Sequence, residues 1–239
     1  MKAIILAAGK GARLSKYHNL PKGLLKFGKN EISILERLCA VLEKNKFKKI
    51  VIITGYKNKL IEKKIGKRAK YLFYPGFKDN NNLQSLLSAK KELNQGFYCF
   101  FADLIFDEKV LKKLIKKKTN TCLTIDTKRV LSGTMRIKKK HDKIIDVGSH
   151  IPTKEGDGNF IGISKFSKSG ALLLKSHLIK EKNNKKDYYT HVIKKIVKEK
   201  KIVNFFDFKR YFWKEIDTYK DLCDMRAIIN KKKFKYWPL

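Results

Sequence analysis

The chain has 239 residues, 43% of them hydrophobic, and 57 Lys and Arg against 22 Asp and Glu, which gives a formal net charge of +35. This length predicts one folded domain with a substantial core, and the apolar content argues against intrinsic disorder. The sequence contains no apolar run of the roughly 18 to 20 residues that a membrane span requires, and its apolar N-terminus is too short for a signal peptide. We therefore expect a cytoplasmic protein.

An excess of positive charge attracts polyanions such as nucleic acid. Here the basic residues are mostly lysines spread along the whole chain, which is typical of compositional bias, so we do not expect nucleic acid as a partner. The basic and aromatic segment from Lys231 to Trp237 keeps a polyanion-binding protein open as an alternative. The four cysteines form no Cys-x-x-Cys pair, which predicts neither a zinc site nor a disulfide framework.

The first half of the chain alternates short apolar runs with stretches of helical periodicity. The predicted strands cover residues 2–6, 48–56, 69–73, 96–103 and 121–125. The predicted helices cover residues 32–42, 58–65, 82–93 and 108–117. This alternation predicts a mostly parallel sheet with helices on both faces, and the first strands are apolar on both sides, as covered parallel strands are.

The second half has a different pattern. Residues 134–139 and 143–147 predict an antiparallel hairpin, and residues 159–164 and 202–208 predict two further strands. Helices are expected over residues 167–180 and 188–198. A last helix begins near Thr218, whose spacing to Asp221 resembles a capping box. No internal repeat or long linker interrupts the chain, so we expect one domain.

A glycine-containing loop follows the first strand, in the order Ala7-Ala8-Gly9-Lys10-Gly11-Ala12-Arg13. Small residues let the backbone approach a ligand closely, and its N–H groups can converge on phosphate oxygens. The spacing matches neither a Walker A loop nor a dinucleotide fingerprint. By itself the loop could be only a tight turn between a strand and a helix.

Three charged residues elsewhere in the sequence favour a phosphate-binding role for this loop. Pro21 fixes the chain before Lys22, a cation that can neutralise charge on a transferring phosphoryl group. Asp103 follows a strand, where the ligand sites of parallel sheets lie, and Asp217 precedes the last helix. Two carboxylates suffice to hold Mg²⁺ when phosphates and water complete its coordination. For Asp217, a helix cap is the alternative role.

Taken in order, the segments LAAGKGARL, LPKGLL, ITGY, NNLQSL, FFAD and EID resemble the sugar-1-phosphate nucleotidyltransferase superfamily over nearly the whole chain. The match extends to its phosphocholine cytidylyltransferase branch through the Asn81-Asn82-x-x-Ser85 segment, Glu215-Ile216-Asp217 and the segment from Gly158 to Leu174. The resemblance implies a single Rossmann-like, GT-A-like α/β domain over residues 1–239, with a mostly parallel mixed sheet flanked by helices. Residues 1–125 would bind the nucleotide, and residues 126–239 would bind the acceptor and complete the metal site.

The resemblance also assigns roles to individual residues. The implied catalytic residues are Arg13, Lys22, Asp103 and Asp217, and the two aspartates would bind Mg²⁺. The implied nucleotide-binding residues are Leu6, Ala7, Ala8, Gly9, Lys10, Gly11, Asn81, Asn82 and Ser85. A role as helix N-terminal caps competes with nucleotide binding for Asn82 and Ser85. Two segments depart from the family pattern: the stretch Ser15–Asn19 is short, and Gly148-Ser149 stands where relatives have Gly-Lys.

The implied reaction is the CTP-dependent transfer of CMP to a small phosphate or phosphonate, such as phosphocholine, with release of pyrophosphate. A sugar-1-phosphate enzyme using UTP, dTTP or GTP is the alternative, and a homodimer stays open. A choline group would require aromatic rings and a carboxylate. A candidate set is Asp187, Tyr188, Tyr189 and Trp213, although packing at a helix start is the preferred interpretation of the two tyrosines.

Overall fold

The computed structural model describes residues 1–79 and 81–230. The predicted basic and aromatic tail, Lys231 to Trp237, lies outside the described residues. Seven α-helices occur in the described part of the chain. They are α1 (Ile34–Lys44), α2 (Asn58–Ile65), α3 (Asn82–Ser88), α4 (Lys109–Lys116), α5 (Lys168–Lys180), α6 (Tyr189–Lys198) and α7 (Tyr219–Asn230).

Nine strands form one continuous sheet. They are β1 (Lys2–Ala7), β4 (Lys49–Thr54), β5 (Lys70–Phe73), β6 (Phe97–Phe101), β8 (Thr121–Asp126), β9 (Arg136–Lys140), β10 (Lys143–Gly148), β11 (Gly158–Phe166) and β12 (Asn204–Asp207). Two short pairs lie beside it: β2 (Lys26–Phe27) with β3 (Ile32–Ser33), and β7 (Leu104–Phe106) with β13 (Trp213–Glu215).

The strand order of the large sheet is β5-β4-β1-β6-β11-β8-β12-β10-β9. The first four strands in this order are parallel to one another. Beyond β6 the pairing is antiparallel, apart from the parallel pair β8 and β12. The mixed α/β sheet is therefore confirmed, with four parallel and five antiparallel strand pairings rather than a mostly parallel sheet. Its three consecutive parallel pairings join strands of the first half of the chain, where the apolar strand runs predicted them.

Apolar residues cover both faces of the sheet. On one face, α1, α2 and α4 pack on β1 and β6 through Leu38, Ile61 and Leu111. On the other face, α3, α5 and α6 pack through Leu86, Leu174 and Ile193. Each side chain named here is buried, with at most 1% of its surface exposed. Helices thus flank the sheet on both sides, as predicted, and no helix in residues 1–79 and 81–230 combines the length and the apolar character of a membrane span.

The structure differs from the sequence prediction at the end of one helix and in two short strand pairs. The helix predicted over residues 82–93 ends at Ser88, and a short 3₁₀ turn, Lys90–Glu92, leads into β6. Leu93 is still buried, so the apolar periodicity was read correctly while the helix end was not. The short pairs β2–β3 and β7–β13 were missed, because strands of two or three residues are too short to show a period.

Candidate active site

The glycine loop lies where strands β1, β4 and β6 end. Tyr56, which follows β4, donates its backbone N–H to the carbonyl of Ala8 over 2.9 Å. Ala102, which follows β6, donates its N–H to the carbonyl of Leu6 over 3.2 Å. The three carboxyl ends are therefore held together, and the loop begins at the edge of the sheet where ligands of parallel folds bind.

The two glycines of this loop have different physical reasons to be glycine. Gly11 has a φ of +68°, and a Cβ there would lie 2.7 Å from both Cγ and Cε of Lys22. Gly9 has an ordinary φ, and a Cβ there would meet no heavy atom of the described residues within 4 Å. The absence of a Cβ at Gly11 therefore lets the Lys22 side chain cross the loop at that position. No such contact constrains Gly9.

Lys22 is aimed by its own segment. A 3₁₀ turn, Lys22–Leu24, follows Pro21, and the N–H of Leu24 donates to the carbonyl of Pro21 over 2.8 Å. Behind it, a Cβ at Gly23 would lie 2.7 Å from Leu35 of α1. The turn thus packs directly on α1, and the lysine side chain can leave it only towards the glycine loop and the cleft.

The short pair β7–β13 brings the distant carboxylates together. Glu215 pairs with Leu104 in this ribbon, and the N–H of Ile216 donates to the carbonyl of Asp103 over 3.0 Å. One carboxylate oxygen from each of Asp103, Glu215 and Asp217 lies within 4.8 Å of the others. The structure therefore places both predicted carboxylates side by side, although 114 positions separate them in the sequence.

Two cations contact these carboxylates. The Nζ of Lys22 lies 3.1 Å from Oδ2 of Asp103 and also contacts Oδ1 of Asp217. The Nη2 of Arg13 lies 2.8 Å from Oδ2 of Asp217. All four residues that the sequence assigned to catalysis therefore meet at one place in the cleft.

Two pKa values reflect this crowding. Burial alone would lower the pKa of Lys22, but the charges and hydrogen bonds of Asp103 and Asp217 outweigh it and raise that pKa above its ordinary value. Burial raises the pKa of Glu215 to about 8, and the neighbouring charges of Asp103 and Asp217 add to the rise against the opposing effect of Lys22. The site therefore favours the charged form of Lys22 and disfavours ionisation of Glu215.

The start of α7 shows that its cap is formed by residues other than Asp217. The N–H of Asp221 donates to Oγ1 of Thr218 over 3.1 Å, and the N–H of Thr218 donates to Oδ2 of Asp221 over 2.9 Å. These two residues form the reciprocal cap that the sequence predicted. The carboxylate of Asp217 is thereby free to face Lys22 and Arg13 rather than cap the helix.

The segment of Asn81, Asn82 and Ser85 lies in the same cleft. Asn81 caps α3, because its side-chain oxygen accepts from the N–H of Asn82 over 2.9 Å. The side-chain oxygen of Asn82 accepts from the N–H of Tyr189 at the start of α6 over 2.8 Å, and Ser85 donates to the carbonyl of Asn82 over 3.0 Å. Neither Asn82 nor Ser85 is therefore the N-cap of α3, a position that Asn81 holds, and Asn82 instead links α3 to the first N–H of α6.

A cleft of ≈ 290 Å³ connects these parts. The predicted residues that line it are Leu6, Ala7, Ala8, Gly9, Gly11, Arg13, Lys22, Asn81, Asn82, Ser85, Asp103 and Asp217. Lys10 is not among the described residues of its wall: the Nζ of Lys10 lies 6.0 Å from the ring centre of Tyr56. Lys10 is exposed between Gly9 and Gly11, which do line the cleft, so its nucleotide-binding role stays a prediction.

The aromatic group considered for a choline head group is dispersed. Tyr188 lines the cleft, but Tyr189 is fully buried and hydrogen-bonds Ser164 over 2.7 Å. The indole N–H of Trp213 donates to Asp126 over 2.9 Å, and Asp187 pairs with His191 over 3.0 Å. Tyr189 therefore packs at the start of α6, which is the alternative that the sequence offered to a choline-binding role.

Sequence reasoning missed the opposite wall of the cleft. Gly133, Thr134 and Met135 line it, and the side-chain oxygen of buried Asn159 accepts from both the N–H of Leu131 at 2.8 Å and the hydroxyl of Thr134 at 3.0 Å. It also missed a role for Glu215, although it noted the Glu-Ile-Asp segment. A carboxylate two positions from Asp217 in an extended chain was the available signal, since alternate residues of a strand share a face.

Comparison with known proteins agrees with this arrangement. The family model that describes a MobA-like NTP transferase domain matches residues 3–130, which include the glycine loop, Lys22 and Asp103. The chain belongs to this family. A MobA-like NTP transferase domain therefore accounts for the first half of the chain, and the residues that complete the carboxylate group lie beyond the matched segment.

Individual relatives extend the likeness. The choline-phosphate cytidylyltransferase of Streptococcus pneumoniae is 36% identical over 101 residues, a match that spans 41% of this chain and 42% of that enzyme. The solved structure of an inositol-1-phosphate CTP transferase from T. maritima superposes with a TM-score of 0.80 at 20% identity, covering 99% of this chain and 98% of that one. The solved structure of a UDP-glucose pyrophosphorylase complexed with UDP-glucose superposes with a TM-score of 0.76 at 14% identity, covering 97% of this chain and 99% of that one. The solved structures share the fold of this MobA-like domain.

Proposed function

We propose that this protein transfers CMP from CTP to a small phosphate or phosphonate acceptor of the phosphocholine kind and releases pyrophosphate. The observation that carries the proposal is the group of Lys22, Arg13, Asp103 and Asp217 beside the glycine loop. Two carboxylates and two cations at the carboxyl ends of parallel strands suit a reaction on a triphosphate, in which charge neutralisation and positioning are the main requirements.

The reaction needs no covalent enzyme intermediate. An acceptor phosphate oxygen forms a bond to the α-phosphorus of the nucleotide while the bond from that phosphorus to pyrophosphate breaks. A phosphate is already ionised at neutral pH, so the protein does not have to remove a proton from it. Arg13 and Lys22 would bind the phosphate oxygens of the leaving pyrophosphate and stabilise its charge as it departs.

The carboxylates fit a divalent cation. Asp103 and Asp217 offer the hard oxygen donors that Mg²⁺ prefers, at a spacing that one ion can bridge, and Glu215 stands beside them. A bound Mg²⁺ would supply charge neutralisation at the α-phosphate. The side chains of Asp103 and Asp217 would fix its position, and the antiparallel β7–β13 pair would hold the two carboxylates at a constant separation.

The choice of CTP is supported by the relatives. Both the pneumococcal choline-phosphate cytidylyltransferase and the T. maritima inositol-1-phosphate CTP transferase use a cytidine nucleotide by their names. A sugar-1-phosphate enzyme that uses UTP is the second candidate, because the UDP-glucose pyrophosphorylase shares the fold. The aromatic side chains of Phe101, Phe160 and Tyr188 also line the cleft, and such rings would suit an acceptor with an apolar or cationic head group.

A pyrophosphate-release assay tests the proposal. The purified chain is incubated with Mg²⁺ and each of CTP, UTP, GTP, ATP and dTTP, in combination with phosphocholine, 2-aminoethylphosphonate, inositol-1-phosphate and glucose-1-phosphate. We expect release with CTP and one of the first two acceptors, and little release from Asp217→Asn under the same conditions. Release only with UTP or dTTP and glucose-1-phosphate would establish the second candidate. No release with any pair, together with salt-dependent RNA binding, would favour the polyanion-binding alternative.

A further inference from the structure

Lys22 has an unusual position for a residue assigned to phosphate binding. Its Nζ stands between the two carboxylates, 3.1 Å from Asp103 Oδ2 and in contact with Asp217 Oδ1. Only 15% of its side chain is exposed. The ammonium group thus fills the gap between the two aspartates, which is where an ion held by both would have to bind.

A divalent cation and this ammonium group cannot share the gap. Lys22 contacts Oδ2 of Asp103 and Oδ1 of Asp217, and Arg13 binds Oδ2 of Asp217, so three of the four oxygens of these two carboxylates already face a cation. An ion placed there with Lys22 unmoved would bring like charges together in a partly buried site, where water screens their repulsion poorly. The lysine has to leave before the ion can bind both aspartates.

The path of the lysine side chain links this movement to the nucleotide. The stem of Lys22 crosses the glycine loop so closely that a Cβ at Gly11 would lie 2.7 Å from its Cγ and Cε. A triphosphate bound by the backbone of that loop would present anionic oxygens beside the stem. A flexible four-carbon side chain can then move its charge from the carboxylates to the phosphates without leaving the loop.

We propose that Lys22 is a placeholder cation: without nucleotide it occupies the metal position between Asp103 and Asp217, and the nucleotide draws it away so that the divalent ion binds only together with the triphosphate. The inference rests on the proposed nucleotide and metal site. It gives Lys22 a role in the order of binding that is separate from stabilising the leaving pyrophosphate.

The test measures binding of Mn²⁺ to the whole protein, using the electron paramagnetic resonance signal of the free ion. Wild type, Lys22→Met and Lys22→Gln are compared without nucleotide and with CTP. Lys59→Met is the matched control, because it removes the same charge from a side chain that is 87% exposed in α2. Circular dichroism and thermal unfolding check that each variant is folded. Two neutral replacements of Lys22 are used so that the comparison is still possible if one of them does not fold.

Without nucleotide we expect weak Mn²⁺ binding by wild type and by Lys59→Met, and at least about 10-fold tighter binding by both Lys22 variants. With CTP, wild type should bind Mn²⁺ at least about 10-fold more tightly than without it. The Lys22 variants should show a smaller increase in Mn²⁺ affinity when CTP is added. Equal Mn²⁺ affinity of wild type and the Lys22 variants without CTP, combined with tight binding in the CTP complex, overturns the placeholder role alone. Failure of every protein to bind Mn²⁺ even with CTP overturns the metal site and the placeholder role together.

Discussion

The two ends of the parallel strands carry opposite arrangements of charge. At the amino ends, the single carboxylate of Glu92 meets three lysines, with Oε2 lying 3.3 Å from Lys2 and 2.7 Å from Lys49, and Oε1 lying 2.9 Å from Lys70. At the carboxyl ends, the three carboxyl groups of Asp103, Glu215 and Asp217 meet Lys22 and Arg13. One end surrounds a single carboxylate with three cations, and the other gathers three carboxyl groups beside two cations.

The difference matters because the chain carries a net charge of +35. In a chain so rich in lysine, a carboxylate surrounded by lysines is expected. The Glu92 cluster needs no function beyond joining three strands. A group of three carboxyls in such a chain is opposed by its own repulsion, which contributes to the rise of the Glu215 pKa after burial. The carboxyl-end cluster therefore requires a reason other than stability, and binding of a cation with the substrate supplies one.

The largest expected effect is at the carboxyl ends. Asp103→Asn or Asp217→Asn keeps the size of the side chain but removes the charge, and we expect kcat to fall about 10²-fold or more, as for loss of one preorganised electrostatic group. The measurement is pyrophosphate release at saturating CTP and Mg²⁺. Asp224→Asn is the control, because that carboxylate pairs with Lys220 on the exposed surface of α7. Near-normal turnover of both aspartate variants would contradict the metal assignment.

The two glycines of the loop should respond differently. Gly11→Ala places a Cβ against the Lys22 stem at a φ of +68°, so we expect kcat to fall about 10- to 100-fold as Lys22 is misplaced. The same strain should lower the free energy of unfolding by about 1–2 kcal/mol. Gly9→Ala has room within the protein and should leave stability unchanged.

Steady-state kinetics and urea unfolding of the two glycine variants provide the comparison. Gly9 lines the cleft and a Cβ there would meet no heavy atom of the described residues within 4 Å, so the effect of Gly9→Ala should appear as a raised KM for the nucleotide and not as lost stability. If Gly9→Ala proves as destabilising as Gly11→Ala, then the loop is constrained by packing alone and not by the path of Lys22.

A smaller effect is expected from the opposite wall. Asn159→Ala removes three hydrogen bonds to the backbone or side chains of residues 129–134, among them the 2.6 Å bond from its Nδ2 to the carbonyl of Arg129. Loosening this wall should raise the KM for the acceptor about 10-fold, and change the KM for CTP little. Asn159→Asp keeps an acceptor for Leu131 and Thr134 but places a second oxygen opposite the Arg129 carbonyl, so it should raise the KM for the acceptor at least as much as Asn159→Ala. A variant whose two KM values rise equally would indicate a general loss of structure.

The sequence predicted the fold in its first half because long apolar strands and amphipathic helices have clear periods. It also predicted Lys22, Asp103 and Asp217 as members of one site, through their positions at segment ends and through a family resemblance. It could not predict that Asp217 reaches Asp103 through the three-residue strands β7 and β13, since such pairing depends on tertiary contact. Nor could it predict that Asn159 of β11 holds the far wall, because its hydrogen-bond partners lie in the irregular segment of residues 129–134.

The Glu92 cluster at the amino ends is expected to affect stability and not catalysis. Burial raises the pKa of Glu92, but hydrogen bonds from Lys49, Lys70 and Lys2 outweigh it and hold the pKa at about 2, below the ordinary 4.5. A carboxyl group whose pKa is lower in the folded state stabilises the fold above its unfolded pKa, and loses that contribution as the pH falls towards its folded pKa.

Glu92→Gln should therefore lower the free energy of unfolding by about 1–2 kcal/mol at neutral pH, less than the full pKa shift implies, because Lys49 and Lys70 are half exposed and screened by water. The difference from wild type should shrink as the pH falls from 4.5 towards 2. Urea unfolding of both proteins across this range measures it, while kcat for pyrophosphate release at neutral pH should be unchanged. A difference that stays constant with pH would assign the effect to packing of the side chain, and a loss of turnover would mean that the two ends of the sheet are coupled.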